Sequence, residues 1–250
     1  MSSSTELVVL VTAGSAGLGA AAARLFARNG YHVIVNYANN KARADALLAE
    51  LNGTDGQKTH VAIQADLTSR TAVERLAREA QAAFGRLDVV FSNGGWTEFR
   101  DTTRLSDNVF DEDWDRAFVM NVKSHIWLLH AAEAALAEHE GAFITTASMA
   151  GVSGMGSSLA YAACKAAQIH MIKGLACMVG PNIRVNTVSP SMLETEWAER
   201  FSPAQKKGLL EKSKLNRFVT VNDVADQVLG LARNRSMTGV NVILDAGIGL

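Results

Sequence analysis

Short runs of β-branched and other apolar residues alternate along the chain with longer stretches rich in Ala and Leu, and this alternation narrows the possible folds more than any other feature. Repeated strand, helix and strand segments of this kind are the pattern of βαβ units wound into a parallel sheet. Seven strands are read at 7–11, 32–36, 59–63, 87–92, 142–147, 183–188 and 240–245. Several are continuous apolar runs, as expected where helices cover both faces of the sheet. Helices are expected near 17–29, 41–52, 69–84, 112–138, 158–179 and 222–233, with a further helical segment at 202–213. In the first, Leu18, Ala22, Leu25 and Phe26 make one stripe and Asn29-Gly30 supplies a stop signal. Asp223 falls in the first turn of the last full helix, where its charge suits the dipole. No internal repeat, low-complexity tract or linker divides the chain, so residues 1–250 are read as one α/β domain.

Hydrophobic residues make up 48%, charged residues 20% and the formal net charge is −1, which fits a soluble globular protein. Such a balance offers no general attraction to nucleic acid or an anionic membrane. The start, Met-Ser-Ser-Ser-Thr-Glu, lacks a basic flank and cleavage site, and the apolar run Leu7 to Val11 is too short to span a bilayer, so a cytoplasmic location is expected. Cys164 and Cys177 lie on one expected helix, more than three turns apart, and are read as free thiols. No His-Glu-x-x-His or Cys/His cluster has metal-ligand spacing, and no metal requirement is expected.

After the first strand comes Thr12-Ala13-Gly14-Ser15-Ala16-Gly17-Leu18-Gly19, with the first helix opening on it. Glycines there let backbone N–H groups approach a pyrophosphate at the helix N-terminus, where the dipole favours negative charge. A glycine-rich turn alone is weak evidence, but the strand-to-helix context raises its weight. Asn36 ends the second strand where an NAD-selective fold usually presents a carboxylate to the ribose 2′-hydroxyl. An amide would not repel a 2′-phosphate, and Lys41 or Arg43 could neutralise one, which favours NADP(H) over NAD(H). Both cations are equally readable as solvated helix residues.

Tyr161 and Lys165 stand four apart in Tyr-Ala-Ala-Cys-Lys, with Ser148 and Asn121 upstream. On a helix this pair shares one face, so an ammonium can bias the ionisation of a phenol whose ordinary pKa is roughly 10. Singly, each residue also has a plain structural reading: a helix surface, a strand-end turn or a kink satisfier. Cys164 is expected to pack rather than react, having no activating base.

Together these motifs resemble the short-chain dehydrogenase/reductase family, from about residue 7 to about residue 247. The glycine loop resembles the family's Thr-Gly-x-x-x-Gly-x-Gly signature, Asp66-Leu67 its adenine contact, and Ser92-Asn93-Gly94-Gly95 its Asn-Asn-Ala-Gly segment. Asn121, Ser148, Tyr161 and Lys165 fall where the family places a catalytic tetrad. Ser189-Pro190-Ser191-Met192-Leu193-Glu194-Thr195 resembles the segment that grips the nicotinamide, and Asp245-Ala246-Gly247 the closing turn. Ala13, Gly94, Ser92, Ser191, Cys164 and Ala246 depart from the usual residues, and Ala16 stands where many NADPH-using members carry arginine.

The resemblance implies a doubly wound Rossmann fold with a seven-stranded parallel sheet, and an NADP(H)-dependent carbonyl reductase. Gly14, Ser15, Gly17, Leu18, Gly19, Asn36, Lys41, Asp66, Leu67, Asn93, Gly94, Pro190, Leu193 and Thr195 would hold the cofactor, with Tyr161 and Lys165. Tyr161 would be the acid or base, Ser148 would bind the reacting oxygen, Lys165 would bind the nicotinamide ribose, and Asn121 would place a water beside Lys165. Trp96, Phe99, Met155, Met192, Trp197, Phe201 and Phe218 would line a site for a bulky or apolar small-molecule carbonyl or alcohol, or else serve core packing. The family's pairing of the helices at 112–138 and 158–179 implies a homotetramer or dimer. A member that has lost redox activity, or directs a non-redox step such as cyclisation, remains the alternative.

Overall fold

A computed structural model describes residues 6–54, 59–154 and 156–250. Its seven strands are β1 (Val8–Val11), β2 (His32–Tyr37), β3 (Val61–Gln64), β4 (Val89–Ser92), β5 (Ala142–Thr146), β6 (Arg184–Pro190) and β7 (Asn241–Leu244). They form one all-parallel sheet in the order β3-β2-β1-β4-β5-β6-β7. The chain reverses direction of winding between β1 and β4, so a crevice opens beyond the carboxyl ends of these two strands.

The helices are α1 (Gly17–Arg28), α2 (Lys41–Thr54), α3 (Arg70–Phe84), α4 (Asp111–Phe118), α5 (Ser124–Ala137), α6 (Ala150–Ser153), α7 (Leu159–Val179), α8 (Pro203–Lys212) and α9 (Val221–Arg233). Alternate residues of each strand serve opposite faces. Val9 and Val11 pack with Val33, Phe91 and Phe26 of α1, and with Val224 and Val228 of α9. Val8 and Leu10 pack with Val90, Leu76 of α3, Leu128 of α5 and Ile172 of α7 on the other side. Both faces of β1 are sealed, which is why its sequence is uniformly apolar. Burying a side chain such as Phe26 contributes about 1.5–3 kcal/mol.

The expected helix at 112–138 is not continuous. A π-helical turn, Val119–Lys123, separates α4 from α5. The Asn121 amide donates to the Ala117 carbonyl at 2.9 Å and to the Trp96 carbonyl of the loop after β4 at 2.7 Å, so a side chain intrudes where the backbone ladder would run. The short α6 and the 3₁₀ turns at Leu105–Asp107 and Glu196–Arg200 carry too few residues for a legible period. Asn29 and Gly30 do end α1, with Gly30 at φ +81°. Asp223 closes a capping box with Thr220 at the start of α9. Cys164 and Cys177 are free thiols, the first buried and the second exposed.

Candidate active site

β5 delivers Ser148 two residues past its end, and Ser158 caps α7 by accepting from the Tyr161 N–H at 3.2 Å. The cap fixes the first turn of α7, and the tyrosine with it. The Ser148 hydroxyl hydrogen-bonds the Tyr161 phenol, while burial pushes the phenol above its ordinary pKa. Lys165, one turn along α7 and 3% exposed, has its ammonium nitrogen 5.7 Å from the centre of the Tyr161 ring. It donates to the Thr146 carbonyl at 2.7 Å and to Gln168 Oε1 at 3.0 Å. Burial lowers it to about 7. The expectation that Lys165 holds down the phenol meets an opposing effect here, because burial favours the uncharged form of both groups.

Gly151 makes this arrangement possible. A Cβ there would lie 2.5 Å from the Lys165 carbonyl carbon, so only glycine lets α6 rest on the backbone of α7. Asn121 accepts from the Trp96 N–H at 3.2 Å as well as donating to the Trp96 carbonyl, and so pins the loop after β4. A Cβ on Gly95 would stand 3.0 Å from Asn121 Oδ1 and 3.5 Å from Lys165 Nζ, so the bare Cα leaves space bordered by both groups.

The glycine loop lies at the crevice between β1 and α1. A Cβ on Gly14 would come within 2.7 Å of the Val11 carbonyl oxygen, and one on Gly19 within 2.2 Å of that of Ala13. Gly17 is exposed at φ +50°, and no side chain caps α1 and no acid occupies its first turn. Leu18 turns inward to the core, and Ser15 is half-buried on the loop. Thr195 faces this loop, with its methyl 3.4 Å from the Cβ position of Gly17. Close backbone, open N–H groups and missing acid fit a pyrophosphate.

Asn36 has a different place from the one expected. It is 1% exposed; its Oδ1 accepts from the Ala13 N–H at 3.2 Å, and its amide donates to the carbonyls of Tyr37, Ile63 and Ala65. Those bonds lock the loop onto β2 and β3 and leave the side chain no reach toward a ribose. Lys41 pairs with Asp45 on its own helix, at 2.7 Å. Arg43 pairs with Glu196, far along the chain, through Nη2–Oε1 at 3.0 Å and Nη1–Oε2 at 3.1 Å.

Asp66 is exposed and turns its Oδ1 to the Thr68 N–H and hydroxyl at 2.9 and 2.8 Å. Leu67 is buried against Gly94, where a Cβ would lie 2.2 Å from Leu67 Cδ1. Asn93 donates to the Thr12 carbonyl and accepts from the Thr146 hydroxyl at 3.0 Å, which ties together the ends of β1, β4 and β5. Pro190 ends β6, and its carbonyl accepts from the Met149 N–H. Leu193 bridges to Val219, and its carbonyl accepts from the Thr195 N–H.

Of the proposed pocket aromatics, Phe99 and Phe201 meet edge to face at 5.0 Å. Trp197 is exposed and Phe218 half-buried. Trp96 is instead packed between helices with Trp114, Ala117, Val122, Ala160 and Cys164, and Arg116 crosses its ring at 4.8 Å. Met155 lies outside the described residues.

Sequence reasoning missed Gln168, three residues beyond Lys165 on the same helix face, where the helical spacing itself could have found it. It also missed a buried pair: Ser92 lies 2.7 Å from His125 Nδ1, and burial near Lys165 pushes the imidazole down to about 3. Nothing local in the sequence marks that contact, which joins β4 to α5. Burial also raises the Cys164 thiol to about 11, which keeps it in its unreactive form. Among the described residues, no group of three or more His, Cys, Asp or Glu side chains could hold a metal ion, and no helix is long and apolar enough to cross a membrane.

A family profile described as enoyl-(acyl carrier protein) reductase matches residues 12–249. A putative ketoacyl reductase of the granaticin polyketide synthase from Streptomyces violaceoruber is 32% identical, covering 97% of this chain and 96% of that protein. The 3-oxoacyl-(acyl-carrier-protein) reductase of Staphylococcus aureus is 30% identical, covering 96% of each chain. The crystal structure of a short-chain dehydrogenase from Burkholderia cenocepacia in complex with NADP superposes with a TM-score of 0.87 at 31% identity, over 97% of each chain. With the parallel sheet, the glycine crevice and the Ser148, Tyr161 and Lys165 cluster in place, these likenesses make the chain a member of the short-chain dehydrogenase/reductase family.

Proposed function

We propose that this protein is an NADP(H)-dependent oxidoreductase that reduces a ketone to a secondary alcohol, or runs the reverse reaction, with Tyr161 as acid or base. The observation that carries this reading is the hydrogen bond between Ser148 and Tyr161 above the buried Lys165, beside the glycine crevice. The NADP complex of the Burkholderia cenocepacia relative supports the choice of cofactor. When bound, the nicotinamide supplies the hydride.

The chain's own residues do the rest. Burial keeps the Tyr161 phenol protonated near neutral pH, so it can deliver a proton to a carbonyl oxygen that becomes an alkoxide. Ser148 donates to the same oxygen and stabilises its developing charge. Thr146 and Gln168 hold Lys165 at a fixed height on α7, from which it would reach the ribose hydroxyls. Water in the space beside Gly95, shared by Asn121 Oδ1 and Lys165 Nζ, returns protons to the site. Gly14, Ser15, Gly17, Leu18 and Gly19 would cradle the pyrophosphate through their backbone, Asp66 and Leu67 would bound the adenine, Asn93 and Gly94 would floor the crevice, and Pro190, Leu193 and Thr195 would border the nicotinamide. Phe99 and Phe201 give the substrate side an apolar wall suited to a bulky ketone.

The protein acts as one domain, in the cytoplasm, and assembles as a homotetramer or dimer through α5 and α7. Exposed Ile126 on α5 and Met178 on α7 support that assembly. The function is tested with purified protein, NADPH and a panel of bulky ketones. Wild type oxidises NADPH, and Tyr161→Phe loses about 100- to 10,000-fold in turnover while retaining thermal stabilisation by NADPH. Undiminished turnover in that variant would remove Tyr161 from its role, and stabilisation without turnover of any ketone by wild type would favour a non-redox member.

A further inference from the structure

The 3₁₀ turn Glu196–Arg200, which follows Thr195, is fastened at both ends. At its far end Arg200 pairs with Glu98 at 2.9 Å and lies 4.3 Å over the Phe99 ring, and Phe201 meets Phe99 edge to face. At its near end Glu196 forks onto Arg43, with both guanidinium Nη atoms engaged at 3.0 and 3.1 Å. Arg43 belongs to the first turn of α2, where its N–H donates to Asn40 Oδ1 at 2.9 Å. It therefore stands just past the carboxyl end of β2, on the side of the crevice where an α/β fold of this type receives the adenosine ribose. Glu196 is the residue after Thr195, which faces Gly17. The ion pair thus runs from the ribose side of the crevice to the segment that covers it.

Asn36 is committed to backbone and Lys41 is paired with Asp45, so Arg43 is the cation of this end whose partner comes from across the crevice. The pair is exposed on both sides, 40% and 69%, so it is weak and exchangeable. A 2′-phosphate carries more charge than a carboxylate and offers the same planar fork a better acceptor.

Resting on the reading of this protein as an NADP(H) enzyme, we propose that Glu196 is a built-in competitor for Arg43. It occupies the guanidinium when no 2′-phosphate is present and is displaced by one. The phosphorylated cofactor, unlike NADH, then frees the near end of the covering turn, and Glu196 sets how strongly the two cofactors are distinguished.

The test is a binding cycle by calorimetry with NADPH and NADH on wild type, Glu196→Gln, Arg43→Gln and the double variant. Expected is tighter NADPH binding in Glu196→Gln, by about two- to fivefold, the range of a surface ion pair. NADH binding should stay unchanged, and the gain should vanish in the Arg43→Gln background. Hydrogen exchange gives a second readout that needs no turnover: adenosine 2′,5′-bisphosphate should speed exchange in residues 196–200 relative to 5′-AMP. Equal changes for both cofactors in Glu196→Gln, or no change for either, would overturn the proposal and leave Glu196 a structural tie. Wild type that binds NADH but not NADPH would instead overturn the cofactor reading, and the proposal with it.

Discussion

Lys165 and Tyr161 sit one turn apart on α7, with the lysine nitrogen 5.7 Å from the centre of the tyrosine ring, yet the lysine spends its hydrogen bonds on the Thr146 carbonyl and Gln168. The two groups are buried neighbours rather than a direct hydrogen-bonded pair. Their protonation in the ligand-free protein is set by burial, which favours the uncharged form of each.

A pH-dependent stability follows for Lys165. Its folded pKa of about 7 lies below its ordinary 10.5, so between those values the unfolded chain binds the extra proton. Stability therefore rises with pH across that window and is independent of this group below it. Urea unfolding of the ligand-free protein at pH 7 and pH 10 should show a gain in wild type that Lys165→Met lacks, at most about 4 kcal/mol. Parallel pH dependences would mean that the lysine stays charged in the fold.

His125 carries the complementary acid effect. Its folded pKa of about 3 against an ordinary 6.5 means that the unfolded chain is the one protonated between them, so stability falls as pH drops through that range. His125→Gln, which keeps a hydrogen-bonding group beside Ser92 but does not titrate, should weaken the decline of stability between pH 6.5 and 4.5. An NMR titration in which the imidazole of the folded protein protonates near pH 6 would contradict the burial described.

Gly151 is predicted to be intolerant of a methyl group. Gly151→Ala places a carbon 2.5 Å from the Lys165 carbonyl carbon and forces α6 off α7, at a cost of about 1–3 kcal/mol. Because α6 begins two residues after Ser148, turnover should fall more than NADPH binding. Gly230→Ala, at an exposed position of α9 with only Gln227 nearby at 3.9 Å, should gain about 0.5–1 kcal/mol instead. Thermal unfolding of the two variants distinguishes these opposite signs.

Ala13 and Ala246 occupy places where the family usually has glycine, and both have positive φ, +47° and +54°. A left-handed alanine costs roughly 1–2 kcal/mol, part of which glycine's looser unfolded chain takes back. Ala13→Gly and Ala246→Gly should each stabilise the protein by about 0.5–1 kcal/mol, measured by urea unfolding. Loss of stability in either would show that its methyl packs more favourably than its backbone is strained.

All seven strands were legible, each displaced by no more than two residues at either end, because a buried parallel strand is apolar along its whole length and announces itself locally. The glycine loop and the Tyr161 to Lys165 spacing were legible for the same reason, since turn chemistry and helix periodicity act within a few residues. The break at Asn121 was not, because it depends on a carbonyl of the loop after β4. The surroundings of Trp96 and Asn36 were not legible for the same reason: one packs against helices and the other donates to three backbone carbonyls.

The sequence by itself determined the order of strands and helices, the glycine loop and the residue types of the site, for these follow from short-range periodicity and backbone freedom. Only the tertiary structure decided which way each polar group turned. It buried Lys165 and His125 deeply enough to disfavour their charged forms, tied Asn36 to the loop, and brought Glu196 to Arg43 across 153 residues. Desolvation and ion pairing depend on what surrounds a group in space, and no local pattern encodes that.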